Sequence, residues 1–381
     1  MLELDCDLEF DTAHDADFFS ALPAHPAVVL IEPREAHAEP YLIRTADLRR
    51  RLERLLGPPD HAAKRLNLRE FARGVRYRLT GSRFEQALAY YQQAKHLFPR
   101  RSRDLARLRP PALLKVNLAN AYPRCYVTRR IRTDESSGAP IGGMYYGPFA
   151  SRRAAGAFAE KFLDLFKIRR CQIKIRRDPS FPGCIYSEMK MCLAPCFAGC
   201  TKEDYAAEVA RVVSFLGTSG DSLTTEIEKE REAASGALDF ERAAALHRRL
   251  DKVNDVLRGL PDLARRIEDL DAVILQRAAE EQAIAVFAVR AGRIGEPFFL
   301  RFAELASKPR SVEEILRAQL EAPTEAANLP GQDLGEHLAL LARWYYSKPR
   351  NGEIFYRQRD WPYRRILRAC SRLLAPREEK N

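Results

Sequence analysis

The chain has 381 residues, of which 46% are hydrophobic and 30% charged, and its formal net charge is +11. A length of this order suits roughly two to four compact modules, each with a core of its own. No apolar run reaches the roughly 18 residues of a membrane span, and the N-terminal MLELDCDLEFD is acidic where a secretory signal would be basic. A cytoplasmic location is expected. Arginine dominates the positive excess, and its planar fork suits phosphate oxygens, so nucleic acid is the first partner to consider; a merely solvated surface is the other reading.

In chain order, residues 1–22 form an acidic leading segment. AVVLIE at Ala27–Glu32 and PYLIRT at Pro40–Thr45 read as strands. ADLRRRLERLLG then places Leu48, Leu52, Leu55 and Leu56 at helical spacing before Gly57. Glu85–Phe98 reads as a helix stopped by Pro99, and Arg100–Arg109 as an exposed basic stretch. ALLKVNL and RCYVTRRIR alternate as strands do, with turn chemistry at Ser136–Gly143, and the first module, 23–150, is expected to close near Ala150. A second module, 151–216, opens on a helix from Ser151 to Phe166 with Phe158, Phe162, Leu163 and Phe166 on one face. After the polar break TSGDS, residues 223–258 place Ala237, Phe240, Ala244, Leu250, Val253 and Leu257 near one face, as in an antiparallel helical hairpin turning sharply at Leu238 and Asp239. Residues 269–356 give an antiparallel meander through DAVILQRA, AIAVFAVRAG and EPFFLRF, then helices in SVEEILRAQL and HLALLARWYY; 357–381 form a basic tail. The fold class expected is α+β.

Five of the 8 cysteines, Cys171, Cys184, Cys192, Cys196 and Cys200, crowd into RRCQIKIRRDPSFPGCIYSEMKMCLAPCFAGC. In a reducing compartment such crowding points to a metal site before disulfides. Loops can converge sulfurs that a single regular helix cannot. No CxxC knuckle of the zinc type occurs; the tight spacing is CLAPC, which is compatible with an iron–sulfur cluster. Zinc, and small buried thiols packing as hydrophobes, are the other readings. The aromatics of YYGPF, Tyr145–Phe149, and Tyr186 either stack on bases or pack in the core, while His25 and His61 lack a cysteine or acidic constellation and are assigned no chemistry.

Several of these runs occur in the order of the UvrC family of bacterial excision repair. ALLKVNLANAYPRCYVTRRI followed by YYGPFASRRAAGAFAEKFLDLFKIRRC resembles the family's segment leading to its first cysteine, and CIYSEMKMCLAPCFAGCTKEDYAAEV resembles its cysteine block. ALDFERAAALHRRLDKV, Ala237–Val253, resembles the UVR motif through which UvrC meets UvrB, and the runs beginning DAVILQ and ARWYYSKP resemble the portion after it. The resemblance covers the chain from Pro23 to Tyr356. It implies an iron–sulfur cluster of the 4Fe-4S kind on Cys171, Cys184, Cys192 and Cys196, with Cys200 extra, and DNA and a UvrB-like protein as partners. For the latter, Phe240, Ala243, Ala244 and Leu250 are the expected docking patch.

The same resemblance implies a GIY-YIG nuclease domain in residues 23–150, in degenerate form. Ala27, Val28 and Val29 stand where a glycine, an apolar residue and a tyrosine belong; the second half of the signature falls on Tyr41, Leu42 and Ile43; the helical arginine is kept as Arg49. The metal-binding glutamate should fall near Tyr91, and the nearest acid is Glu85. Such a nuclease needs a carboxylate for a divalent metal, an arginine for phosphate charge and a tyrosine to help activate water. Tyr41 and Arg49 are therefore expected as vestiges, and no catalytic residue is assigned. The family's RNase H-like domain and helix-hairpin-helix tail are expected after Tyr356, where WPYRRILRACSRLLAPREEKN cannot build either. Three functions stand as expectations: a catalytically reduced, DNA- or UvrB-binding repair component; a divalent-metal endonuclease with Tyr41, Arg49 and Glu85 in a rearranged site; and a redox or structural interaction protein outside repair.

Overall fold

The computed structural model describes residues 2–59, 66–305, 311–322 and 333–375, so His61 lies outside the described residues. The architecture is α+β, with helices packed on three antiparallel sheets.

The first sheet runs through β1 (Cys6–Glu9), β2 (Ala27–Pro33), β3 (Tyr41–Thr45) and β4 (Ala72–Leu79), in the spatial order β1-β4-β2-β3. Its central strand β2 is buried on both sides, which is why AVVLI is one continuous apolar run rather than an alternating one. Ala27, Val29 and Ile31 face α1 (Asp15–Ala21) and α2 (Leu48–Leu56), while Val28 and Leu30 face α3 (Arg83–Leu97). The α2 stripe of Leu48, Leu52, Leu55 and Leu56 is wholly buried, and the Asp47 side chain caps the helix by accepting the Arg50 N–H at 3.0 Å. At its end a Cβ on Gly57 would stand 2.4 Å from the Glu53 carbonyl oxygen, so the exit of the chain there requires glycine. Around the short α4 (Ser102–Leu105) Arg101, Arg103 and Arg107 stay exposed, while Ala106 and Leu108 just after it tuck into the core.

Strands β5 (Ala112–Val116), β6 (Cys125–Thr128) and β7 (Met144–Phe149) do not join that sheet. They form a second one, β6-β5-β7-β8, closed by β8 (Arg265–Arg266) from far along the chain. The expected close of the first module near Ala150 therefore cuts through a unit that starts at Ala112 and continues into α5 (Arg152–Leu163), α6 (Ile185–Glu188) and α7 (Lys202–Gly217). YYGPF is part of a strand, and Tyr145, Tyr146 and Phe149 are fully buried, which removes them from base stacking. Phe149, Phe158, Phe162, Phe166 and Phe215 make a run of ring contacts with centroids 5.3–5.6 Å apart. The same core takes in a helical hairpin, α8 (Asp221–Gly236) and α9 (Phe240–Arg258), whose turn falls at Ala237–Asp239 with Leu238 at φ +59.

The third sheet has β9 (Ala272–Arg277), β10 (Ala283–Arg290), β11 (Arg293–Ile294) and β12 (Phe298–Arg301), with β13 (Glu353–Tyr356) on the far edge of β9. Following α10 (Phe302–Leu305), α11 (Val312–Glu321) and α13 (Tyr363–Leu374) pack on one face, and α12 (Leu334–Tyr345) on the other. The expected basic tail is thus part of the fold: Tyr363, Ile366, Ala369 and Cys370 of α13 are buried against β9 and β10. Helix α3 lies between the first and third sheets in one shared core with α12. No helix of the described residues is long and apolar enough to cross a membrane.

Candidate cysteine centre and the surfaces around it

The cysteine segment has little regular structure between α5 and α7, with only α6 and a 3-10 turn at Pro195–Phe197. It is held by backbone hydrogen bonds and one buried arginine. Arg169 donates through Nε to the Tyr122 carbonyl at 2.8 Å and through Nη1 to the Ile173 carbonyl at 2.8 Å, and its N–H donates to the Tyr205 hydroxyl at 2.9 Å. This anchors the loop of Cys171 to the second sheet. No sequence signal separates Arg169 from the neighbouring arginine, since only the burial of one of them distinguishes the two. Further along, the Asp178 N–H donates to the Cys196 carbonyl at 2.8 Å, and Ala194 and Ala198 take left-handed backbone at φ +55 and +61 on either side of the 3-10 turn. Such strain in non-glycine residues persists only where surrounding contacts fix it.

Cys171, Cys184, Cys192 and Cys196 come into one neighbourhood. The Cys192 thiol is pushed up to about 11, by burial first and then by the charges of Cys171, Cys196 and Cys184. Burial likewise raises Cys196, which also feels Cys184 and Cys171. Two backbone N–H groups work in the opposite direction and favour the thiolates: that of Ala194 points at the Cys192 sulfur at 3.3 Å, and that of Phe197 at Cys196. Cys200 stands apart. Its thiol is raised by burial and by Asp204 and lowered by Arg177, and of the cysteines only Cys196 acts on it. Among the described residues no group of three or more His, Cys, Asp or Glu side chains is close enough to hold a metal ion. The segment supplies thiol donors on irregular backbone, with N–H groups directed at sulfur.

Beside Cys200 a cleft of 1030 Å³ separates the cysteine segment and α7 from the hairpin. Arg248, Arg249 and Lys252 line it on the hairpin side and Lys190, Asp164 and Asp204 on the other, where Arg211 of α7 is tied up by Glu208 at 2.8 Å and Glu226 at 2.6 Å. On the hairpin, the four docking candidates separate by environment. Leu250 is buried with Leu246, Val253 and Val256 in the hairpin core, and Ala243 is half-buried against it. Phe240 is 69% exposed, Leu238 71%, and Ala244 is exposed as well. The exposed apolar groups at the tip are therefore Leu238, Phe240 and Ala244, while Leu250 is covered.

The nuclease candidates are not brought together. Arg49 lies on α2, on one side of the first sheet, and donates to the carbonyls of Leu22 at 2.6 Å and Ser20 at 3.3 Å, closing the end of α1. Glu85 lies on α3, on the other side, 1% exposed. It accepts the Gly81 N–H at 2.9 Å with Arg78 at 3.8 Å, and burial holds its carboxyl above the usual carboxylate range. Tyr41 is half-buried against the core on the Arg49 side. Tyr91, at the position of the expected metal ligand, is 2% exposed and packs edge-on against buried His337 of α12, ring centroids 5.9 Å apart. Lys95 and Asp333 add an ion pair across the same contact. The α3 face is closed by the third sheet and α12.

Residues 112–215 match the family model described as the middle domain of the UvrC/Cho excinuclease. They begin at β5 and end in α7, the unit that the second sheet builds. The chain is similar to the UvrABC system protein C of Ruminiclostridium cellulolyticum, at 31% identity over 189 residues covering 49% of this chain and 30% of that protein. It is also similar to that of Moorella thermoacetica, at 27% over 339 residues covering 87% and 53%, and to that of Desulforudis audaxviator, at 30% over 279 residues covering 71% and 44%. The chain spans 30–53% of the length of these relatives. No solved structure matches it at a comparable level of significance.

Proposed function

We propose that this chain, similar over much of its length to UvrABC system protein C, is a UvrC-like component of nucleotide excision repair that binds DNA and a UvrB-like partner, with its GIY-YIG site reduced to a scaffold. What supports the reading is the middle unit: its residues match the family model, and within it the charges of Cys171, Cys184 and Cys196 all act on Cys192, while of the cysteines Cys200 is acted on by Cys196 alone. These four would hold an iron–sulfur cluster, which when bound supplies a covalent cross-link and a one-electron redox centre. The chain's own part is to direct the Ala194 and Phe197 N–H groups at two of the sulfurs and to fix the Cys171 loop through Arg169.

Arg248, Arg249 and Lys252 on the hairpin side of the first cleft support DNA as a partner, and the exposed Leu238 and Phe240 support a protein partner at the hairpin tip. Against a rearranged nuclease stands the placement of Arg49 and Glu85 on opposite faces of one sheet. A phosphate held by a metal on the Glu85 carboxylate cannot at the same time meet the Arg49 guanidinium across a packed sheet.

Anaerobic purification with iron and sulfide analysis tests the cluster. Iron is expected in the wild-type chain and in Cys200→Ala, and is expected to be lost in Cys192→Ala; zinc or no metal in the wild type defeats the cluster reading. Incubation of damaged plasmid with magnesium or manganese is expected to give no nicking. Metal-dependent nicking abolished by Arg49→Ala would restore the nuclease.

A further inference from the structure

The basic stretch Arg100–Arg109 forms one bank of a second cleft, of 520 Å³. Arg103 lines it from α4, and Arg129, Arg130 and Arg132 line it from the loop between β6 and β7. Glu336 of α12 is the one carboxylate among the lining residues. It is turned inward: its side chain is 18% exposed with Arg103 at 4.0 Å, its Oε2 is buried without a hydrogen-bond partner, and burial holds its carboxyl above the usual carboxylate range. Of the other acids nearby in the chain, Glu39 is matched to Arg101 at 2.5 Å, and Asp134 accepts the Ser136 and Ser137 N–H groups at 3.1 and 2.9 Å. Asp104 and Glu135 are exposed, against exposed Arg103, Arg107, Arg109, Arg129, Arg130 and Arg132.

Both banks turn their arginines outward by the same device. Ala106 and Leu108 are buried in the core shared by α3 and α12, and Arg107 and Arg109, which follow each of them, are exposed. Ile131 packs against that core, and Arg130 and Arg132 on either side of it are exposed. The backbone is held as well. Arg343 of α12 donates through Nη1 to the Ala106 carbonyl at 3.2 Å and through Nη2 to that of Arg107, whose backbone is left-handed at φ +50. Across the cleft the Arg132 N–H donates to the Tyr145 hydroxyl at 3.1 Å, and its carbonyl accepts the Ile141 N–H at 2.8 Å. Among the described residues the side chains of Arg107, Arg109, Arg129, Arg130 and Arg132 make no hydrogen bond or ion pair. Like charges gathered on a fixed surface without counter-charges repel one another, and a polyanion relieves that repulsion.

We infer that this arginine surface contacts the phosphate backbone of duplex DNA, as a footprint separate from the first cleft; that the polyanion is DNA rests on the proposed repair function. The two clefts share no lining residue. Guanidinium forks spread over two open banks match a row of phosphates better than one small anion. The surface continues through Arg44, exposed on β3, whose guanidinium lies 5.6 Å from the Tyr90 ring and whose charge acts on Arg343. Tyr90 is buried there, so this end offers charge without an open ring for base stacking, which favours a duplex over a single strand. Sequence showed the first bank as a basic stretch; the second joins it only through the fold.

The test is fluorescence anisotropy of a labelled DNA duplex titrated with the full chain at several salt concentrations. Each phosphate contact removed lowers the slope of log affinity against log salt by about one. Arg129→Gln, Arg130→Gln and Arg132→Gln combined are therefore expected to lower it by about two to three and to weaken binding roughly tenfold or more at low salt. Arg103→Gln with Arg109→Gln, on the opposite bank, is expected to act in the same direction, so the outcome does not depend on how one loop folds. A triple variant with wild-type affinity and slope overturns this surface, and leaves the repair reading standing so long as the wild type binds the duplex. Failure of the wild type to bind duplex at low salt overturns both. Tighter binding of a single strand than of the duplex, lost in the triple variant, overturns the assignment to duplex.

Discussion

Alanine at Phe240 and alanine at Leu250 should have opposite consequences, although both residues belong to the same helix and to the same apolar set in the sequence. Leu250 is buried among Leu246, Val253 and Val256, with α8 contributing Leu223 and Ile227 to the same core. Truncating it deletes buried methyl groups and leaves a cavity between two helices, for an expected loss of about 2–5 kcal/mol. Phe240 is 69% exposed, so its truncation should shift stability by no more than about 0.5 kcal/mol. Urea unfolding followed by circular dichroism measures both, the midpoint falling at constant slope for Leu250→Ala and holding for Phe240→Ala. In binding to a UvrB-like protein the order reverses: an exposed aromatic at a hairpin tip that serves as an anchor carries about 2 kcal/mol or more, roughly a thirtyfold loss of affinity in Phe240→Ala. If Phe240→Ala unfolds as readily as Leu250→Ala, the tip is part of this chain's own core. If its affinity is unchanged, the tip is not the docking surface.

Arg49→Ala is expected to cost about 1 kcal/mol in thermal unfolding, because the guanidinium satisfies two carbonyls at the end of α1; affinity for DNA should not change, and a selective loss of DNA binding would contradict the structural assignment. His337 gives a pH dependence of definite sign. Burial holds its imidazole down at about 4 against the ordinary 6.5, and its Nδ1 accepts the Ile294 N–H at 2.8 Å, a bond available to the neutral ring. The unfolded chain takes up this proton as pH falls through 6.5 and the folded chain only near 4, so its contribution is complete above 6.5 and is lost between those values, by about 3 kcal/mol in all. Urea midpoints of wild type and His337→Gln across that range should diverge from each other, and parallel curves would show that another group sets the slope.

Local pattern made much of this fold legible. The α2 leucine stripe and the hairpin turn at Leu238 are fixed by residues within one or two helical turns of each other, through side-chain spacing, capping and turn chemistry. What the pattern did not reach was pairing at a distance. The apolar runs of β5 and β7 read the same whichever sheet they enter, and their pairing with each other and with β8, more than a hundred residues further on, puts them in a sheet apart from β2. Leu250 and Phe240 share a helical face, yet only the packing of α9 against α8 determines that the first is covered and the second projects beyond its partner. The two nuclease survivors, Arg49 and Glu85, are legible as residues but not as a pair, because the sheet between them exists only in three dimensions. Chemistry-bearing side chains were thus visible one at a time in the sequence, whereas their surroundings, as for Arg169 buried against the Tyr122 carbonyl, were decided by tertiary structure, since burial and hydrogen-bond partners come from distant parts of the chain.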